Sequence, residues 1–342
     1  MGQLVSIHER VSENLNRALH SAIGADKQLY LLGEDVCDPY GGAFKVTRGL
    51  SSSYPERVLS TPLSEASITG VAGGIALSGG KAIVEMMFAD FAALAFDSIL
   101  NFASKSVAMY GVRLPMHMVL RAPSGGGRGY GPTHSQSLHK HFIGIPHLSL
   151  FELSPLHDNH DVLEKMLTRG EPCIFFEDKT LYTRRMYRDG QIDDIFGFDY
   201  IDEEQNFARI SIDGYQKSDV VLIAAGGMVE RCLQAARDLF IEHEISCQII
   251  VASRIFPIDP DPLVPILSTA GLVCVVEEST AGGTWGSEVA HALYERMWDE
   301  LPGRIELVHS KNSIIPTAAH LEKDVVVQTA DIYRSVRSAL HA

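Results

Sequence analysis

Short apolar runs alternate with stretches of helical spacing along this 342-residue chain, and that alternation constrains the fold more than any other feature. Gln28–Gly33, Ala82–Met87, Leu114–Arg121, Leu148–Leu153 and Cys173–Glu177 are mostly apolar and too short for helices that could stand alone. Between them, Ile7–Leu19 repeats Val11, Leu15 and Leu19 at helical spacing. Ala92–Ala108 and Asp158–Arg169 also predict helices. Strands alternating with helices imply a mostly parallel sheet covered by helices on both faces. The alternation stops between Tyr187 and Arg209, where six acids and no base fall from Asp193 to Glu204. It resumes with a strand at Asp219–Ala224, a helix at Val229–Glu242 and strands at Ile245–Val251, Gly271–Val276 and Arg304–Val308. The length supports two cores. The expectation is α/β: one domain over residues 1–187, a linker over 188–209 and a smaller domain over 210–342, each a mostly parallel sheet flanked by helices.

Charge excludes some partners. Net charge is −14, which argues against a nucleic-acid groove or an anionic membrane surface. No window approaches the roughly 20 apolar residues that cross a bilayer. The first ten residues carry no basic-then-apolar signal pattern, and Met1-Gly2 is followed by a weak acylation context. Five cysteines without CxxC spacing imply reduced core thiols and a cytoplasmic location.

Several constellations carry potential chemistry. Thr61-Pro-Leu-Ser-Glu65 heads a run of small residues: Gly70, Ala72, Gly73, Gly74, Ala76, Ser78, Gly79 and Gly80. Each helical Gly costs about 1 kcal/mol against Ala, so the run implies close packing at that seam. A first-turn acid favoured by the helix dipole explains Glu65 but not the glycines that follow. A carboxylate buried at a seam would have a raised pKa and could share a proton with a ring nitrogen. Ser124-Gly-Gly-Gly-Arg-Gly-Tyr-Gly-Pro-Thr133 follows a strand and leads to His134. It lacks the Lys-Ser/Thr of a P-loop, so a phosphate cradle competes with an ordinary surface loop. Seven histidines between His117 and His160 form no zinc signature. Ser64 and Ser135 lack the G-x-S-x-G elbow of a serine hydrolase. Phe88 and Phe91 suit either a core or a stacking platform.

Gly33-Glu-Asp-Val, Gly42-Ala-Phe-Lys-Val-Thr-Arg-Gly-Leu, Thr61-Pro-Leu-Ser-Glu, Val84-Glu-Met-Met-Phe-Ala-Asp-Phe, Thr133-His-Ser-Gln-Ser and Phe176-Glu-Asp-Lys-Thr-Leu-Tyr resemble one known family in order. Ala225-Gly-Gly-Met-Val-Glu, Arg254-Ile-Phe-Pro-Ile-Asp, Val276-Glu-Glu and Leu321-Glu extend the match. The family is the β-subunit of the thiamine-diphosphate-dependent decarboxylase component of 2-oxo acid dehydrogenase complexes. The resemblance implies a pyrimidine-binding transketolase-type domain followed by a transketolase C-terminal domain. It implies that Glu65 hydrogen-bonds N1′ of the cofactor's aminopyrimidine, the contact that prepares the thiazolium to act. Phe91 resembles the aromatic stacked on that ring, with Leu63 and Met87 beside it. His134 resembles the histidine of acyl transfer to a lipoyl group.

The resemblance also implies a missing partner. The superfamily holds magnesium and diphosphate through a Gly-Asp-Gly motif followed by Asn. Asp189-Gly and Asp213-Gly here lack the leading Gly. The implied assembly is an α2β2 heterotetramer, with an α-subunit supplying Mg2+ at interface sites. Arg169 stands where the family's potassium-binding acid would be, which argues against that ion. Leu138-His-Lys-His-Phe also departs from the family's more acidic or aromatic pattern beside the channel, leaving substrate and acyl acceptor open. The implied reaction is oxidative decarboxylation of a small 2-oxo acid, or cleavage of acetoin, with transfer to a lipoyl acyltransferase core. The alternatives are two-carbon or acyl transfer to a carrier protein, and a non-catalytic docking scaffold.

Overall fold

The structure is a computed structural model that describes residues 9–212 and 218–341. Ile7, at the start of the first expected helix, and Asp213 lie outside the described residues. In chain order the first half comprises α1 (Val11–Ala25), β1 (Leu29–Gly33), α2 (Leu50–Ser53), β2 (Val58–Ser60), α3 (Glu65–Leu77), β3 (Lys81–Glu85), β4 (Met118–Ser124), β5 (Ser149–Glu152), α4 (Asn159–Thr168) and β6 (Cys173–Asp178). The second half comprises β7 (Phe196–Tyr200), β8 (Phe207–Ile212), β9 (Val220–Ala224), α5 (Met228–His243), β10 (Cys247–Ala252), β11 (Arg254–Phe256), α6 (Val264–Leu267), β12 (Leu272–Thr280), α7 (Trp285–Met297), β13 (Glu306–Ser310), α8 (Ala319–Val325) and α9 (Thr329–Leu340).

Two sheets result, with orders β11-β5-β6-β4-β3-β1-β2 and β13-β12-β9-β10-β8-β7. Both are mostly parallel and flanked by helices, as the alternation predicts. In the first sheet only β11 runs antiparallel, beside β5. The strands β4, β5 and β6 are buried at every position, which accounts for their mostly apolar character, the polar exceptions lying toward their ends or pairing with one another. Helix α1 buries Val11, Leu15, Ala18, Leu19 and Ile23 on one face, and the Arg10 amide donates to Glu13 at its start. One apolar cluster runs from Leu32, Val84 and Phe176 to Ile223, Ile250 and Trp285, so the two halves share buried surface.

Two expectations differ from the structure. Ala92–Ala108 is not one regular helix: a 3₁₀ turn at Ala89–Ala93 precedes a π-helical stretch at Ser98–Ser104. Phe102 lies on that wide turn, and a Cβ on Gly73 of α3 would collide with its ring. Packing against α3 thus overrides the local 3.6-residue preference. The acidic stretch is not a structureless linker either. There β7 and β8 pair antiparallel, and β8 pairs antiparallel with β10 at the edge of the second sheet. Its acids hold turns and edges: Asp202 accepts from the amides of Asn206 and Phe207, and Asp199 binds Arg209 at 2.6 Å. In β8 the half-exposed Arg209 and Ser211 alternate with buried Ala208, Ile210 and Ile212.

Among the described residues no helix is long and apolar enough to cross a membrane. The five cysteines are free, and burial pushes the Cys247 thiol up to about 12.

Candidate active site

The parallel registers Gly33↔Glu85 and Gly33↔Ser60 bring the C-terminal ends of β1, β2 and β3 to one edge of the first sheet. The ends of β4 and β6 join the same edge. Open α/β sheets bind ligands there. Five connections leave it: Glu34-Asp35, the turn Thr61–Glu65, Met86–Phe91, the Gly-rich loop to His134, and Lys179.

Two carboxylates form the first neighbourhood. Glu65 is half-buried in the first turn of α3, after Ser64 at its N-cap. Glu34 is 5% exposed, and neither carboxylate oxygen makes a hydrogen bond of good geometry. Burial raises the Glu34 pKa above the usual carboxylate range, and the negative charge of Glu65 adds to the rise. The Ser64 amide offsets part of it. Composition and periodicity gave Glu34 no role. Its only local signal is a carboxylate directly after an apolar strand.

Aromatic rings form the second. His134 stands edge-on to Phe88 at 4.8 Å and to Phe91 at 5.2 Å. Tyr130 and Phe44 close around Phe88 at 5.5 and 5.6 Å. The Thr133 hydroxyl lies 2.9 Å from His134 Nδ1, which leaves Nε2 without that partner. Lys179 is buried, its ammonium lacks a hydrogen-bond partner, and it sits 5.6 Å from the Phe88 ring centre. Burial pushes its pKa down to about 8. Phe88 is thus packed among rings, and Lys179 is a residue that spacing alone does not reveal. The structure brings Phe91 and His134 together. Met87 is half-buried beside them in sequence, while Leu63 is 78% exposed on the rim rather than in a wall.

Beneath this edge a buried ion network holds the strands. Arg121 of β4 donates through Nε and Nη2 to Glu177 of β6 at 2.7 and 2.8 Å, and through Nη1 to Glu85 of β3. Tyr182 donates to Glu177 at 2.6 Å. Gly42 is required here: its φ is +80°, and a Cβ would run into the Glu85 carboxylate. These side chains satisfy one another, so the network serves structure.

The Gly-rich loop is neither a phosphate cradle nor an open surface loop. The amides of Gly126, Gly127 and Gly129 donate to carboxylates of Glu278 and Glu322. Nearby His139 pairs with Glu152. Burial alone would lower the imidazole pKa, but Glu152, Glu277 and Glu278 outweigh it and raise it. Burial beside Glu278 pushes Asp178 up to about 6. The remaining histidines lie elsewhere: His157, for one, packs on Tyr200, and burial pushes it down to about 3. Among the described residues no three or more His, Cys, Asp or Glu side chains are placed to hold a metal ion. Arg169 donates to Glu171 at 3.0 Å and supplies a cation at the position where the family acid would sit.

Glu34 and Glu65 thus lie at the strand edge that also carries Phe88, Phe91 and His134. Residues 10–185 match the family described as transketolase, pyrimidine binding domain, and residues 211–332 match transketolase, C-terminal domain. The chain is 31% identical to pyruvate dehydrogenase E1 component subunit beta-2, mitochondrial, of Oryza sativa subsp. japonica, over 97% of this chain and 86% of that protein. It is 30% identical to the acetoin:2,6-dichlorophenolindophenol oxidoreductase subunit beta of Cupriavidus necator, over 95% and 96%. A solved split-gene transketolase, an inactive beta4 tetramer, shares the fold with a TM-score of 0.72 at 20% identity, over 97% and 98% of the two chains. With two transketolase domains in order and full-length relatives of this kind, the chain belongs to the transketolase-like family of pyruvate and acetoin dehydrogenase β-subunits.

Proposed function

We propose that this chain is the β-subunit of a thiamine-diphosphate-dependent 2-oxo acid dehydrogenase and supplies half of an interface active site. The observation that carries the reading is the pairing of half-open Glu65 with buried, unpartnered Glu34 at the strand edge. Burial and the neighbouring negative charge of Glu65 both favour the protonated form of Glu34. Glu65 is then the acid that shares a proton with a pyrimidine ring nitrogen. The cofactor, when bound, supplies the electron sink for decarboxylation. Phe91 and Met87 would hold the pyrimidine of the bound cofactor and exclude water from it, with exposed Leu63 close by in sequence. His134, steadied by Thr133 and the two phenylalanine edges, holds or moves a proton at Nε2 during acyl transfer.

The metal and diphosphate half comes from an α-subunit, in an α2β2 assembly. The outer side of α3 supports this: a Cβ on Gly70 or Gly74 would meet nothing within 4 Å. Val71 is exposed on α3 and Leu63 just before it. Such a face suits close approach by another chain. The acyl acceptor is a lipoyl domain, the setting is cytoplasmic, and the two domains meet near residues 188–209.

Co-expression with the α-subunit encoded beside it, followed by a screen of pyruvate, branched-chain 2-oxo acids and acetoin, tests the reading. The complex is expected to turn over at least one of them with a lipoyl acceptor. The chain alone is expected to bind thiamine diphosphate poorly. Tight magnesium-dependent binding by a homodimer would contradict the missing-partner argument.

A further inference from the structure

The loop that carries His134 is gripped from outside its own domain. Gly125, Gly127, Gly129 and Gly131 have φ between +72° and +83° while the residues between them do not have positive φ, and the amides of Gly126, Gly127 and Gly129 all reach carboxylates. Such an arrangement is an anion nest. Here carboxylates of the second half fill it. Glu322 of α8 accepts from Gly127 at 2.9 Å and from Gly129 at 3.2 Å. Glu278 of β12 accepts from Gly126 at 2.5 Å and from the Ser137 hydroxyl at 3.4 Å, and Arg231 fixes its other oxygen at 3.1 Å.

These contacts bracket His134 on both sides, at 126–129 and at 137. The fit is close. A Cβ on Gly131 would sit 2.5 Å from Thr317 Oγ1, and one on Gly126 would sit 3.3 Å from the Glu322 carboxylate. Glu322 is only 3% exposed, although it lies on a short helix of the second domain. A buried carboxylate needs partners, and the Gly127 and Gly129 amides supply two charge-assisted bonds. Within the loop, His134 N donates to Gly131 O at 3.3 Å, so the position of Gly131 passes directly to the histidine.

We propose that Glu322 is a positioning residue for His134: seated in the amide nest, it lets the second domain set where the imidazole stands against Phe88 and Phe91. The idea rests on the reading of His134 given above, but two of its tests do not depend on activity. The α/β complex is compared as wild type, Glu322→Ala, Glu322→Gln and His134→Ala. In Glu322→Ala, hydrogen exchange at the Gly127 and Gly129 amides is expected to rise at least about tenfold, while exchange in α1 stays unchanged. Carbethoxylation of His134, read by peptide mass, is expected to speed up several-fold. Acyl transfer is expected to fall more than decarboxylation with an artificial electron acceptor, and the double variant Glu322→Ala/His134→Ala should be no slower than His134→Ala. Glu322→Gln keeps the side-chain shape and one acceptor oxygen, so it provides a milder change in the same direction if the alanine variant does not fold. Unchanged exchange at Gly127 and Gly129 overturns the proposal. So does raised exchange with unaltered His134 modification, or a double variant whose losses multiply. A wild-type complex that turns over no 2-oxo acid overturns the functional reading instead, and exchange and modification then decide the role of Glu322.

Discussion

Glu34 and Glu65 show how far one residue's role depends on its neighbour. Glu65 sits in a first helical turn, where many chains carry an acid for the dipole alone. What separates it is a second carboxylate, buried and without a well-formed hydrogen bond, close enough to feel its charge. Glu65→Gln is expected to abolish C2 proton exchange of cofactor bound to the α/β complex while sparing the fold. Exchange at the wild-type rate, measured by NMR in deuterated buffer, would overturn the assignment. Glu34 supplies a prediction with a sign. Its folded pKa lies above its unfolded one, so the folded state binds more protons than the unfolded state above the ordinary carboxylate range. Its contribution to stability is therefore lost as pH rises from about 4.5 through the raised value. Glu34→Gln should remove that loss, and its urea midpoint relative to wild type is expected to climb from pH 5 to pH 8.

At the scale of the element, α3 separates two kinds of glycine. Gly73 faces inward, where a Cβ would collide with Phe102, whereas Gly74 faces empty space. Gly73→Val is expected to lower the thermal midpoint of the chain alone, because overpacking costs roughly 1–3 kcal/mol. Gly74→Val is expected to leave that midpoint within a few degrees but to weaken assembly with the α-subunit, measured by light scattering after gel filtration. Equal effects of both substitutions would remove the case for an interface. Periodicity shows a run of small residues but not which side is covered, since the pattern is apolar all round and a helix of this kind has no polar face to orient it. The same limit explains β7 and β8. Their turns are built from Asp193 and Asp202, whose carboxylates cap backbone amides. In sequence those acids resemble a solvated linker.

For the whole molecule, the shared surface between the halves is where charge and fold meet. His139 reaches Glu152 in a buried cluster that also faces Glu277 and Glu278. His139→Ala would leave Glu152 buried and unpaired, and is expected to cost about 3 kcal/mol, read from urea unfolding. The raised imidazole pKa sets the direction of the pH effect: its contribution is fully present below the unfolded value near 6.5 and is lost as pH rises through the folded value. The difference between wild type and His139→Ala should accordingly shrink in alkaline buffer. A loss below 1 kcal/mol at pH 6 would show that the pair does not hold the cluster.

The alternation of apolar runs determined by itself that the chain forms two mostly parallel, helix-covered sheets, because burial on both faces admits few residue types and period is a local property. The ordered motifs likewise carried the family, since the runs that hold Glu65, Phe91 and His134 follow one another in the family's order. Only the tertiary structure decided what surrounds them. Glu34 is buried beside the charge of Glu65, Phe88 packs edge-on against His134, and the amides of the Gly-rich loop are taken up by Glu322 and Glu278. Those relations join residues as far apart as Gly127 and Glu322, and no local periodicity encodes a contact across such a separation.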